Sequence, residues 1–377
     1  MDAGRVVDWE GSGTHVLLNP RLPAGDEQQL RRLVAESPAL DAHVWLAASG
    51  SSGVVRVVAL SKLAMLASAA AVNQQVASDR RDRWLCVLPV FHVGGLAIHA
   101  RAHLTGVPVL SAEWNASAFA TTCAEERITL TSLVPAQVRD LVREKLRAPR
   151  TLRAIFVGGG RLASALHGDA RRLGWTLLPS YGMTECASQV ATATLDDPGA
   201  AEPPLVLLPH LRARATDDGR LAFAGSSLLT GHAFERAGAV IFEDPKEDGW
   251  FLSEDVGRLV ESGPRPLLEI EGRSSEFLKV GGESTSLARL DAILAEVLRA
   301  HPDAADAALV AMPDERLGWV IHMAVVRSQG VESIRRAFDE RVLPFERVRQ
   351  VYVVASIPRA ALGKVLRHEL SALVAKS

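Results

Sequence analysis

The sequence predicts an α/β protein: a large N-terminal domain of layered α/β sheet with a β-rich subdomain, followed by a small α+β C-terminal domain. Three observations predict it. Between residues 54 and 180, short β-branched runs alternate with longer stretches of helical period. From about 204 to 271 the apolar runs shorten and are broken by Gly, Pro and Asp, and after Gly272 a fresh helix and strand pattern begins. A chain of 377 residues also exceeds what one hydrophobic core usually organises. The boundary is placed near 271 to 275, dividing residues 1–271 from 272–377.

In chain order, WLCVLPV (84–90), VPVL (107–110), ITLTSLV (128–134), LRAIFVG (152–158) and WTLLPS (175–180) read as strands. Between them AFATTCAEE, PAQVRDLVREKL and SALHGDARRLG carry helical spacing, and Pro135 suits a first helical turn. These make five βα units before Tyr181. A helix-like run is expected to begin near Val57. LRARATDDGRLAF, GWFLSEDVGRLV and PRPLLEIEGR read as hairpins. Past Gly272, helices are expected over LARLDAILAEVLRA and VESIRRAFDERV, with strands over AALVAMP, VIHMAVV and VRQVYVV.

Composition narrows the function. Lys and Arg total 42 against 44 Asp and Glu, without long blocks of one sign, so neither nucleic acid nor a membrane is an expected partner. Apolar residues make up 48%, yet runs such as LAMLASAAAV stay short of the roughly 20 residues of a membrane span, and a soluble protein is expected. The start, MDAGRVVDWEGSG, has no secretory pattern. Cys86, Cys123 and Cys186 are far apart and lack CxxC spacing, which fits reduced thiols in a cytoplasmic protein.

Several loops carry chemistry. Ser49, Gly50, Ser51, Ser52 and Gly53 follow an apolar stretch; such a loop can cradle phosphate through backbone amides, or be an ordinary turn. It is not a Walker loop, because no GKS or GKT follows. His92, in PVFHVGGL, stands just past a strand beside two glycines, where a functional and a structural role are both open. His99 and His103 have metal-ligand spacing but no acidic third ligand nearby, so a helix surface is preferred.

Gly158, Gly159 and Gly160 end the fourth strand, where ligands bind in open α/β sheets, with a plain turn as the alternative. YGMTE follows: the Thr184 hydroxyl suits a phosphoryl oxygen and the Glu185 carboxylate suits Mg²⁺. Asp255 and Arg273 flank a hairpin; a carboxylate suits ribose hydroxyls and an Arg fork suits ribose or phosphate, with a surface salt bridge as the alternative. Lys364 follows Gly363 near the C-terminus, where a lysine alone is usually solubilising.

Taken in order, these motifs resemble the adenylate-forming superfamily of acyl-CoA synthetases, carrier-protein adenylation domains and luciferases. AASGSSGVVRVV stands for TSGTTGxPKGV, SYGMTECAS for the YGxTE loop, and GWFLSED for GWxxTGD. EGRSSEFLKVGGES stands for GRxxDxIxxxGxxI, and PRAALGKVLRHEL for PxxxxGKxxR. The match runs from Ala48 to Leu370. Within the superfamily, LPVFHVGGLAIHARAHLTGVPV, TLTSLVPAQV and YGMTECASQ are most similar to the 2-succinylbenzoate CoA ligases of menaquinone biosynthesis.

The resemblance implies an aryl acid, ATP, Mg²⁺ and coenzyme A as the molecules handled, and a mobile small domain that rotates between half-reactions. Residue by residue, it implies that the loop from Ser49 to Gly53 holds the β and γ phosphates, and that Thr184 and Glu185 handle phosphate and Mg²⁺. Gly158, Gly159 and Gly160 border adenine beside Tyr181, Gly182 and Met183. Asp255 and Arg273 hold ribose, and Lys364 contacts the carboxylate and α-phosphate. His92 gates the acyl pocket, while Lys279, Gly281 and Gly282 line the thiol tunnel. Arg101 and Arg161 are candidates for a second substrate carboxylate.

The departures are Ala48, Val55 and Arg56 in the phosphate loop, Ser253 and Glu254 before Asp255, and Ser275 at the hinge acid. They bear on ATP affinity and domain rotation. Fewer residues than usual precede the phosphate loop, so a shortened first subdomain is expected, with a more open acyl pocket or one completed by a partner chain. Beside the ligase, two alternatives stand: aryl acid activation or acyl transfer onto a carrier protein in secondary metabolism without an obligatory ATP step, and a nucleotide-binding sensor without turnover. A homodimer is left open.

Overall fold

The computed structural model describes residues 6–22, 24–48, 56–195, 203–273, 277–280, 283–301, 306–314, 316–360 and 365–375. They divide into two compact units: Met1–Arg214, Ala222–Leu252 and Leu259–Glu269 in the first, and Ala215–Leu221, Ser253–Arg258 and Ile270–Ser377 in the second.

The centre of the first unit is a run of parallel strands in the order Val109–Ser111, Trp84–Cys86, Leu130–Leu133, Ala154–Val157, Leu177–Met183. Helices Val93–Thr105, Ala116–Glu125, Pro135–Arg143 and Ser164–Arg172 make the crossovers. Because side chains alternate along a strand, the sheet feeds two cores. Leu85, Ile155 and Leu177 face the helices 116–125, 135–143 and 164–172. Trp84, Cys86, Phe156 and Leu178 face the helices 62–75 and 93–105. The strand order reverses between Trp84–Cys86 and Leu130–Leu133, the switch point where open sheets of this kind bind ligands at their carboxyl ends.

After Met183 the chain does not enter a crossover helix. A single 3-10 turn, Thr184–Cys186, reverses it into Ser188–Thr192, which pairs antiparallel with Leu177–Met183. Val206–Leu207 then pairs antiparallel with Ser188–Thr192.

A second sheet of this unit runs His15–Leu17, His43–Ala48, Arg56–Ser61, Gly231–Arg236, Ala239–Glu243. Here the expected helix-like run near Val57 is corrected: Arg56–Ser61 is a strand, buried at its four central residues, and the helix Lys62–Gln75 follows it. Val57 and Val58 are β-branched and stiff, which suits a pleated surface. Ser61 then caps the helix by accepting a hydrogen bond from the Ala64 amide at 3.0 Å. In this sheet Ala48 lies opposite Arg56 in antiparallel register. The β-rich stretch is divided between sheets, since Gly231–Arg236 and Ala239–Glu243 join the N-terminal strands.

In the second unit Ala307–Asp314 and Gly318–Val325 form a long antiparallel hairpin; Phe277–Val280, itself paired with Glu283–Ser286, and Val351–Val353 both pair with Gly318–Val325, near its start and its end. Leu287, Leu290, Leu294 and Val297 make the buried stripe of helix Leu287–Ala300, packed with Val331, Ile334 and Phe338 of helix Val331–Asp339.

Candidate active site

His92 is the N-cap residue of helix Val93–Thr105 and is exposed, with its imidazole 4.8 Å from the Phe91 ring. The turn that presents it depends on a glycine: a Cβ on Gly95 would lie 2.3 Å from the Pro89 carbonyl oxygen. Gly158, Gly159 and Gly160 leave the end of Ala154–Val157, and Gly159 has φ +75°.

The neighbouring strand carries Tyr181, Gly182 and Met183, with a bulge between Tyr181 and Gly182. The Tyr181 ring lies 6.1 Å from that of Phe223. At Gly182 a Cβ would sit 1.9 Å from the Ser188 carbonyl oxygen, so the two antiparallel strands close only around glycine. Beyond the 3-10 turn, Ala187 and Ser188 take φ of +53° and +100°. Two consecutive non-glycine residues in that region mark a constrained loop. Thr184 and Glu185 are half-buried on the turn itself, and neither side chain has a hydrogen-bond or ionic partner among the described residues. Their oxygens are thus available at the carboxyl edge of the sheet, one strand from Gly158.

Asp255 and Arg273, both in the second unit, form an ion pair at 3.2 Å with side chains 13% and 35% exposed. The Asp255 amide is also held by the Ser253 hydroxyl, which itself donates to Leu221 O at 2.8 Å. The pair is partly buried rather than a loose surface contact.

Of the two arginines considered for a second carboxylate, Arg161 is exposed. Arg101 is 1% exposed, on the face of helix Val93–Thr105 that meets the sheet. Its guanidinium carbon lies 5.7 Å from the Trp84 ring and 5.2 Å from the Phe156 ring, and Nη1 donates to the Ser132 hydroxyl at 3.3 Å. Nε has no partner, and no carboxylate pairs with Arg101 among the described residues. Burial pushes the guanidinium down to about 9. Ser132, one of two hydroxyl residues in the short buried strand Leu130–Leu133, is the sequence signal for this neighbourhood.

Ser49, Gly50, Ser51, Ser52, Gly53, Gly281, Gly282 and Lys364 lie outside the described residues, as does Ser275; of Lys279 only the backbone pairing with Ser284 is described. His99 and His103 join no metal-holding group: among the described residues no cluster of three or more His, Cys, Asp or Glu is placed to hold an ion. No helix among those residues is long and apolar enough to cross a membrane.

This arrangement can be set beside known proteins. The chain is similar to the 2-succinylbenzoate–CoA ligase of Geobacillus kaustophilus, 31% identical over 314 residues that cover 79% of this chain and 62% of that protein. It is similar to the same enzyme of Bacillus licheniformis, 27% identical over 343 residues, covering 88% and 70%. It therefore spans 62% and 70% of the length of these two relatives. Among solved structures, the o-succinylbenzoate CoA synthetase of Bacillus subtilis in complex with its acyl-adenylate intermediate matches with a TM-score of 0.75 at 25% identity, covering 87% of this chain and 68% of that one. The same enzyme with ATP and magnesium ion matches at 0.73, with 25% identity and coverage of 87% and 69%. The AMP-binding enzyme C-terminal domain matches residues 294–364. The AMP-binding enzyme model matches residues 12–223, more than half of the 377, and the chain belongs to that family.

Proposed function

We propose that this protein is an ATP-dependent acid–thiol ligase that converts an aryl carboxylic acid, with 2-succinylbenzoate preferred, through an acyl adenylate to an acyl-CoA. The observation that carries the reading is the constrained turn at Thr184 and Glu185, whose side-chain oxygens, without a partner among the described residues, lie one strand from the glycine turn 158–160. In the first half-reaction a carboxylate oxygen attacks the α-phosphorus of ATP, the bond to the bridging oxygen breaks, and pyrophosphate leaves. In the second the thiol sulfur attacks the acyl carbonyl, loses its proton, and AMP departs with the bonding electrons.

Thr184 donates to a phosphoryl oxygen, and Tyr181, Gly182 and Met183 with the 158–160 turn form the nucleotide wall. Asp255 and Arg273 take the ribose, and Lys364 the carboxylate and α-phosphate. His92 stands at the acyl entrance. The 272–377 domain, with Lys279, Gly281 and Gly282 for the thiol, rotates between the two steps. Glu185 fits Mg²⁺ as a protein carboxylate in a sparse site, because no group of three or more His, Cys, Asp or Glu is placed to hold an ion among the described residues and Mg²⁺ takes its remaining ligands from water and phosphate. When bound, the ion neutralises phosphate charge.

Arg101 supports a dianionic acid. A buried guanidinium without a counter-ion is costly, and a carboxylate would both neutralise it and satisfy Nε through a charge-assisted hydrogen bond. Arg56, at the position of the family's phosphate-loop lysine, favours a second reading in which the acyl group passes to a carrier protein and adenylation is weak. A cytoplasmic location accompanies either reading.

The test is pyrophosphate release with ATP, Mg²⁺ and a panel of aryl acids, for wild type and Lys364→Ala. Release with 2-succinylbenzoate exceeding that with benzoate, and falling about 10²- to 10³-fold in the variant, is expected. Folded wild-type protein that releases none with any acid would overturn the ligase and leave acyl transfer.

A further inference from the structure

The AMP-binding enzyme match begins at residue 12, yet the residues just before it are not peripheral. Val7 is 1% exposed and Trp9 8%. Lys62, the first residue of helix Lys62–Gln75, is 2% exposed and donates its ammonium protons to the backbone oxygens of Asp8 and Gly11, the latter at 2.7 Å. A buried ammonium is tolerated only when hydrogen-bonded, so Lys62 fixes where residues 8–11 run. Ser12 O then accepts from the Ala42 amide at 2.6 Å, and Ala42 O from the Lys62 amide at 2.8 Å. Trp9 lies 6.3 Å from the imidazole of His103, two residues beyond Arg101 on helix Val93–Thr105. The two helices are themselves joined by Asn73 Nδ2 donating to Arg101 O at 2.9 Å, in a buried position.

A single segment thus touches both helices that cover the sheet face on which Arg101 sits. We propose that residues 7–11 form a strap which, through Lys62 and Trp9, fixes the helix pair 62–75 and 93–105 and so sets the position of Arg101 toward the acid substrate. The link to the acid rests on the reading of Arg101 given above; the link to the helices does not. Lys62 and Trp9 are positioning residues, acting through the helices rather than on the reacting atoms. The strap's carbonyl oxygens are the functional atoms toward Lys62, so the contact is made by backbone rather than by the side chains of residues 8 and 11.

The experiment uses the full chain as wild type, Trp9→Ala, Trp9→Phe and Lys62→Met. Hydrogen exchange comes first, since it needs no turnover. Protection of helix 93–105 is expected to fall at least about tenfold in Trp9→Ala and Lys62→Met, while helices 135–143 and 164–172 on the opposite face keep theirs. Steady-state kinetics follow. For the same two variants KM for the aryl acid should rise about tenfold, with KM for ATP and kcat within about twofold, and Trp9→Phe should recover most of the loss. Unchanged exchange in helix 93–105 would overturn the strap whatever the enzyme's activity. Loosened exchange with an unaltered KM for the acid would overturn the link to Arg101. Wild type without turnover would count against the ligase reading, and the exchange result would still decide the strap.

Discussion

The two faces of the central sheet are built on different terms. One packs Leu85, Ile155 and Leu177 against helices 116–125, 135–143 and 164–172, and among the described residues no Lys, Arg, Asp or Glu of those helices is buried. The other packs Trp84, Phe156 and Leu178 against helices 62–75 and 93–105, and buries Lys62 and Arg101 with Ser68 and Asn73. A sheet of this kind needs only apolar cover, so the charged face carries a cost that the first avoids. The difference teaches where stability and the proposed selectivity are lodged: the apolar face serves the fold, and the charged face carries Arg101, the proposed contact for the acid.

The sharpest break of that comparison lies on the apolar face. Phe119, 3% exposed and 6.0 Å from the Trp175 ring, should cost about 3–5 kcal/mol as Phe119→Ala in denaturant melts, with kcat/KM of the folded fraction unaltered. The reverse pattern is expected across the sheet. Arg101→Met should lower kcat/KM for 2-succinylbenzoate about 10²-fold, about 2.7 kcal/mol, while leaving benzoate within about threefold. Its thermal midpoint should equal or exceed that of wild type, because an apolar chain replaces an unpaired buried charge. A lower midpoint with unchanged selectivity would make Arg101 a packing residue.

A smaller effect reports on both faces together. Burial pushes the Cys86 thiol up to about 11 and the Cys123 thiol up to about 12. These are acids whose native pKa is raised, so unfolded chains shed protons first as pH rises. Stability should therefore be full below about pH 8.5 and fall by about 1 kcal/mol per thiol between pH 8.5 and 9.5. Cys86→Ala with Cys123→Ala should flatten that limb in chemical denaturation; an unchanged slope would show that the thiols are not shielded.

Much of this is legible in the sequence. The five parallel strands and their helices announce themselves because short continuous apolar runs alternate with stretches of helical period over residues 84–180, and Pro135 does open its helix at the first turn. The 204–271 hairpins are marked by Gly and Asp. What local pattern does not carry is partnership. VVRVVALSKLAM runs apolar through a strand and into a helix, and only the pairing of Arg56–Ser61 with His43–Ala48 and Gly231–Arg236 separates the two. In the same way Arg101 was visible as a cation on a helix, but its burial depends on Trp84, Ser132 and Phe156 arriving from three strands. Lys62 gave no signal at all, since its partners are backbone oxygens.

The register of Ala48 against Arg56 has a consequence for how this protein can change. The sheet holds Ala48 and Arg56 opposite one another, so the span between them is a boundary condition set by strand pairing. Under that condition, lengthening is cheap: doubling such a loop costs only about 0.6 kcal/mol in closure entropy. A change in the number of residues between Ala48 and Arg56 is therefore expected to leave the paired strands on either side in their frame.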